Sequence, residues 1–150
     1  MKRKFVVELV SFLLMSLFLY AAFSKWLAFG AYKNDIDNQP FPNWITPWII
    51  YTLPPLEVII TLALMFERTR TIGLYASLIL MSAFSIYTAT VLLNFFDYIP
   101  CSCGGIVKDL SWTNHLILNL FFVSISVLGI ILRKNKYSKD GPTKPLVISN

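Results

Sequence analysis

Four apolar stretches, each long enough to cross a bilayer, take up most of a 150-residue chain. A helix needs about 20 consecutive apolar residues to span the hydrocarbon core. The stretches fall at about 5–25, 45–66, 72–94 and 113–132, and they predict an all-α, polytopic membrane four-helix bundle over residues 1–132. Residues 133–150 read as a basic cytoplasmic tail, expected to be disordered beyond the membrane surface. Only 14% of residues are charged, against about a quarter in soluble domains. With so much of the chain in spans, the net charge of +5 carries no implication of nucleic acid. Its distribution reports topology instead.

Ten of the thirteen basic residues fall on one side of that topology. They are Lys2, Arg3 and Lys4, then Arg68 and Arg70, then Arg133, Lys134, Lys136, Lys139 and Lys144. Lys25, Lys33 and Lys108 fall on the other. The positive-inside bias therefore predicts that both termini are cytoplasmic and the connection between the third and fourth spans is outside. The first run is long, contains Glu8 and ends Tyr20-Ala21-Ala22-Phe23 rather than in a small-x-small cleavage site, so it reads as an uncleaved helix. Glu8 is expected at the interface or paired with a neighbouring lysine.

Between the first two spans, residues 26–48 are polar and proline-bearing, with Trp26, Phe29, Tyr32, Phe41, Trp44 and Trp48 crowding the two ends. The segment is either an interfacial aromatic belt or a cap over the bundle. In the second span, Pro54 and Pro55 deprive the carbonyls of Ile50 and Tyr51 of their helical donors, which predicts a kink or break. Glu57 follows, near the bilayer midplane. A carboxylate there is costly and marks either a functional site or a buried hydrogen-bonded network, and it is expected to be protonated or partnered. Tyr87, Thr90 and Asn94 share a face of the third span, a stripe better read as interhelical glue than as a relay.

The only two cysteines lie in Pro100-Cys101-Ser102-Cys103-Gly104-Gly105. Outside the cytoplasm a disulfide can form and persist. A Cys-x-Cys bridge needs its Cα atoms within about 4.4–6.8 Å across a very small ring, so it should be strained, and strained bridges tend to be labile and catalytic. It closes almost no loop, which makes a purely structural bridge a poor explanation. Two thiolates with His115 could instead bind Cu(I) or Zn(II), but they fall short of the four ligands of a closed zinc site. Thiol redox is favoured over metal on that count, and two inert thiols remain a third reading. His115, twelve positions after Cys103, could exchange the thiol proton. An interfacial histidine bonded to Ser111, Asn114 or Asn119 is the slightly favoured alternative. The candidate catalytic set is Cys101, Cys103, His115 and Glu57, in a thiol–disulfide oxidoreductase.

Phe18-Leu19-Tyr20-Ala21-Ala22-Phe23-Ser24-Lys25-Trp26, where a lysine closes the helix, resembles the signature of DoxX-like membrane proteins. Leu53-Pro54-Pro55-Leu56-Glu57 and Cys101-Ser102-Cys103-Gly104 resemble the methylamine-utilisation MauE family, in order and spacing over about the first 130 residues. Gly104 stands where that family's loop more often has an aromatic residue. The resemblance implies a four-helix protein of the bacterial inner membrane that handles disulfides outside the cytoplasm. In the family's setting that means maturation of the disulfide-rich small subunit of methylamine dehydrogenase. The partner would be an extracytoplasmic thioredoxin-like or disulfide-containing protein. DsbB and vitamin K epoxide reductase share the four helices and external cysteines and return electrons to a quinone, so a quinone enters here by analogy only. Two other functions remain open at this point: a metal-handling membrane protein, and a non-enzymatic assembly factor that holds a partner at the membrane.

Overall fold

The computed structural model describes residues 2–93, 95 and 112–139, with the backbone alone at 2 and 135–139. Five helices lie among them: α1 (Lys2–Leu27), α2 (Phe29–Asp37), α3 (Thr46–Met65), α4 (Arg70–Leu92) and α5 (Trp112–Lys139). Four of these, all but α2, are long and apolar enough to cross a membrane. The protein is an all-α, multi-pass membrane protein. The spanning helices pack in a ring, α1 against α3, α3 against α4, α4 against α5 and α5 against α1. Across the diagonals, the backbones of α1 and α4 approach each other more closely than those of α3 and α5. The bundle has a terminal end, where α1 starts and α5 finishes, and a loop end, where α2 and the connection 94–111 belong.

Each helix turns inward one stripe of residues spaced by three and four. On α1 the stripe is Val7, Ser11, Leu14, Phe18 and Ala21; on α4 it is Leu74, Ser77, Met81, Ser85 and Thr88. A 3–4 spacing keeps one face towards a neighbour over several turns. Val10, Leu14 and Phe18 meet Ile60, Leu64, Leu74, Met81 and Phe122 in the central cluster. Large apolar side chains such as Phe12, Ile59, Ile79 and Ile86 point outward, as lipid requires. Because lipid is as apolar as the core, close packing and small residues hold such helices together. Gly73 shows this directly. A Cβ there would stand 2.8 Å from the Leu64 backbone nitrogen and 3.0 Å from the Ala63 carbonyl carbon, so α3 and α4 meet backbone to backbone just past their turn.

Four features qualify the sequence reading. Helix α3 runs through Pro54 and Pro55 without a break. Within residues 26–48, α2 folds back on α3 with Tyr32 buried, as a cap would, while Trp44 and Trp48 stay 71% and 70% exposed. Glu8 pairs with Lys4 at 3.9 Å, one helical turn away. Finally, α5 continues to Lys139, so the first seven residues assigned to the tail, 133–139, extend the last helix. Arg133 Nε there donates to the Thr71 hydroxyl at 2.6 Å, and its Nη2 to the Glu67 carbonyl, tying α5 to the α3–α4 turn.

Candidate functional site

Within the bundle the one buried ion pair among the described residues is Lys25–Glu57, Nζ to Oε1 at 2.6 Å. The side chains are 13% and 1% exposed, respectively. Their places follow from the stripes. Glu57 falls in the inward series Ile50, Pro54, Glu57, Ile60, Leu64 of α3. Lys25 lies four residues beyond Ala21 and seven beyond Phe18, so it extends the inward stripe of α1. Its ammonium reaches back along the helix to the Ala21 carbonyl at 3.5 Å. An ammonium and a carboxylate taken out of water cost several kcal/mol each, offset only when they meet in good geometry. Here they join α1 to α3.

Helix α2 closes this pair from the loop end. The chain bends at Ala28 (φ −113°, ψ 42°), which turns Tyr32 back over Lys25, with Nζ 5.9 Å from the ring centroid. The Tyr32 hydroxyl donates to the Ile49 carbonyl at 3.2 Å, one residue before the carbonyls that the prolines deprive of donors. Phe29 packs on both Tyr32 and Tyr51, with centroids 6.3 and 6.0 Å apart. Burial, reinforced by the Glu57 carboxylate, pushes the Tyr32 phenol well above its ordinary value, so it stays a neutral hydroxyl donor. Thr61 donates to the backbone carbonyl of Glu57 at 2.9 Å. Glu57 Oε2 is buried and has no hydrogen-bond partner among the described residues.

A second cluster sits at the loop ends of α4 and α5. The Tyr87 hydroxyl donates to Gln39 Oε1, and its ring lies against Phe41 at 5.2 Å and Trp112 at 6.5 Å. The connection between α2 and α3 is thereby fastened to the two helices from which the cysteine connection departs. The Thr90 hydroxyl bonds the Tyr87 carbonyl of its own helix at 2.7 Å; Asn94 lies outside the described residues.

Two of the four sequence-predicted site residues, Glu57 and His115, fall among the described residues. Cys101 and Cys103 lie outside the described residues. His115 is half-buried in the first turn of α5, in series with Asn119, Phe122 and Ser126 along that helix. Glu57 sits midway along α3, on the helix diagonal to α5 in the ring. Glu57 meets Lys25 and Tyr32, which sequence reasoning had treated as a flanking charge and an interfacial aromatic. The signal was present for Lys25, since it continues the buried spacing of α1. For Tyr32 there was none, because its placement depends on a bend and a tertiary contact.

The family model described as methylamine utilisation protein MauE matches residues 3–132 of this chain. No curated protein and no solved structure matches it.

Proposed function

The chain belongs to the methylamine utilisation protein MauE family, and from that membership we propose that it exchanges thiols and disulfides at the outer face of a bacterial inner membrane through Cys101 and Cys103. The observation that carries the reading is the Cys-x-Cys itself. It holds the chain's only cysteines, in the connection between two spanning helices, on the side poor in basic residues. In the oxidising direction, a partner thiolate attacks one sulfur of the Cys101–Cys103 bridge, and the other sulfur leaves as a thiolate. The partner's second thiolate then resolves the mixed disulfide. Two electrons pass to the cysteine pair, the partner acquires the bridge, and two protons move from partner thiols to this pair. His115, in the first turn of α5, is placed as the side chain that relays one of those protons, an imidazole being able both to take and to give one. In the family's setting, the partner is the disulfide-rich subunit of methylamine dehydrogenase or a thioredoxin-like protein that serves it.

Trapping tests this. Cys101→Ser should accumulate a mixed disulfide on Cys103 with an extracytoplasmic protein, visible on a non-reducing gel, because no second thiol remains to clear it. The wild-type pair should titrate well above the roughly −300 mV of structural bridges. A membrane-impermeant thiol reagent should label the reduced cysteines in intact spheroplasts. Full complementation by the double Cys→Ser variant would overturn the reading in favour of an assembly factor.

A further inference from the structure

Thiol exchange leaves the Lys25–Glu57 pair unused, and the pair is incomplete. Glu57 is 1% exposed, one of its oxygens is taken by Lys25, and the other has no donor among the described residues. A buried acceptor left unsatisfied costs the desolvation of that atom, so such atoms in native proteins find a partner. The neighbouring hydroxyls are committed, Thr61 to the carbonyl of Glu57 and Tyr32 to that of Ile49. Lys25 is also under-used. An ammonium has three N–H groups, and two of them serve Glu57 Oε1 and, at 3.5 Å, Ala21.

An open acceptor beside an open donor suits a group that is both, namely a hydroxyl. Charge narrows the choice further. The ammonium disfavours a cation at this depth and the carboxylate disfavours an anion, since screening is weak inside the bundle. We propose that Lys25 and Glu57 form a binding site for one uncharged hydroxyl, which donates to Glu57 Oε2, accepts from Lys25 Nζ and is covered by Tyr32. Two sources supply that chemistry: an internal water, or the hydroxyl of a small lipid-soluble molecule that enters from the bilayer. The site stands on the seam between α1 and α3 and is independent of the cysteine chemistry.

The test uses the full chain in deuterated phosphatidylcholine vesicles, with 13C on glutamate Cδ and on the leucine side chains. Glu8→Gln and Glu67→Gln, both at exposed positions, leave Glu57 as the single labelled carboxylate, and its buried pair intact. In solid-state NMR, polarisation is passed from water protons to that carbon. The vesicles are then titrated with neutral p-cresol and, separately, with benzoate and benzylammonium. Polarisation arriving at Glu57 ahead of the core carbons of Leu14 and Leu64, with no cresol-induced shift, identifies water. A saturable shift with cresol identifies a lipid-soluble hydroxyl. A carbon that receives no water polarisation and is unmoved by cresol overturns the site. A shift with either charged probe as large as that with cresol overturns its selectivity for a neutral hydroxyl.

Discussion

The α1–α3 seam and the α4–α5 seam solve the same problem in opposite ways. Both must bury polar side chains between membrane helices. On α4 and α5 the buried serines turn back on their own helices. Ser77 bonds the Gly73 carbonyl at 2.7 Å, Ser85 that of Met81 at 2.8 Å, and Ser126 that of Phe122 at 2.7 Å. These hydroxyls act as small residues that let the helices approach, and none depends on the neighbouring helix. Across α1 and α3 the polar contact is interhelical, charged and incomplete. A self-satisfied serine would survive rearrangement of its neighbours, whereas Glu57 needs Lys25 in place. The ionic seam is also the one that α2 covers. Polarity that serves packing is thus closed within one helix, and polarity able to serve binding is shared between two.

Breaking the ion pair from one side should have the largest effect. Lys25→Met strands a buried carboxylate and should lower stability by about 3–5 kcal/mol, read as a fall in the detergent unfolding midpoint. Adding Glu57→Leu should restore most of the loss. If the double variant is as unstable as the single, the seam depends on packing rather than charge. Gly73→Ala comes next. It forces a Cβ into the α3 backbone and should cost about 1–3 kcal/mol, measured the same way, and its effect should add to that of Lys25→Met.

Tyr32→Phe should cost about 1 kcal/mol for the hydrogen bond to Ile49. It should also change the alkaline limb of the stability curve. Because the Tyr32 phenol is raised in the folded protein, the unfolded chain loses that proton first, so the contribution is constant below about pH 10 and falls as pH rises beyond it. The difference between wild type and Tyr32→Phe should therefore shrink above that pH. A difference that instead grew would mean that the phenol ionises readily in the fold. The smallest effects belong to the other seam. Ser85→Ala and Ser126→Ala should each change stability by no more than about 0.6 kcal/mol; a larger loss would show that these hydroxyls reach across to a second helix.

Much of the fold was legible beforehand, because a membrane span is a local property. The predicted second span, 45–66, and the observed Thr46–Met65 agree closely, since length and hydropathy alone decide where a helix can cross. The partnering of Glu57 was legible in kind for a similar reason: an isolated charge at that depth is too costly to stand. Its partner was not. Lys25 sits next to Trp26, and a lysine beside an aromatic near a helix end reads equally well as an interfacial anchor. Of the kink or break that the prolines predict, the break is absent. Two missing donors weaken a helix, but packing on α1 and α4, and α2 folded against α3, keep it continuous. Sequence order likewise says nothing about which helices lie side by side and which diagonally, so the distance between Glu57 on α3 and His115 on α5 was not legible.

The sequence by itself determined four membrane helices and roughly where each one lies along the chain. These follow from hydropathy and length, neither of which refers to the rest of the chain. Only the tertiary structure decided that α1 and α3 share an ionic contact, that the bend at Ala28 brings Tyr32 over it, and that one carboxylate oxygen is left without a donor among the described residues. Those are relations between residues 25, 32 and 57, and their cost or benefit exists only once packing has removed the water that would otherwise satisfy each of them separately.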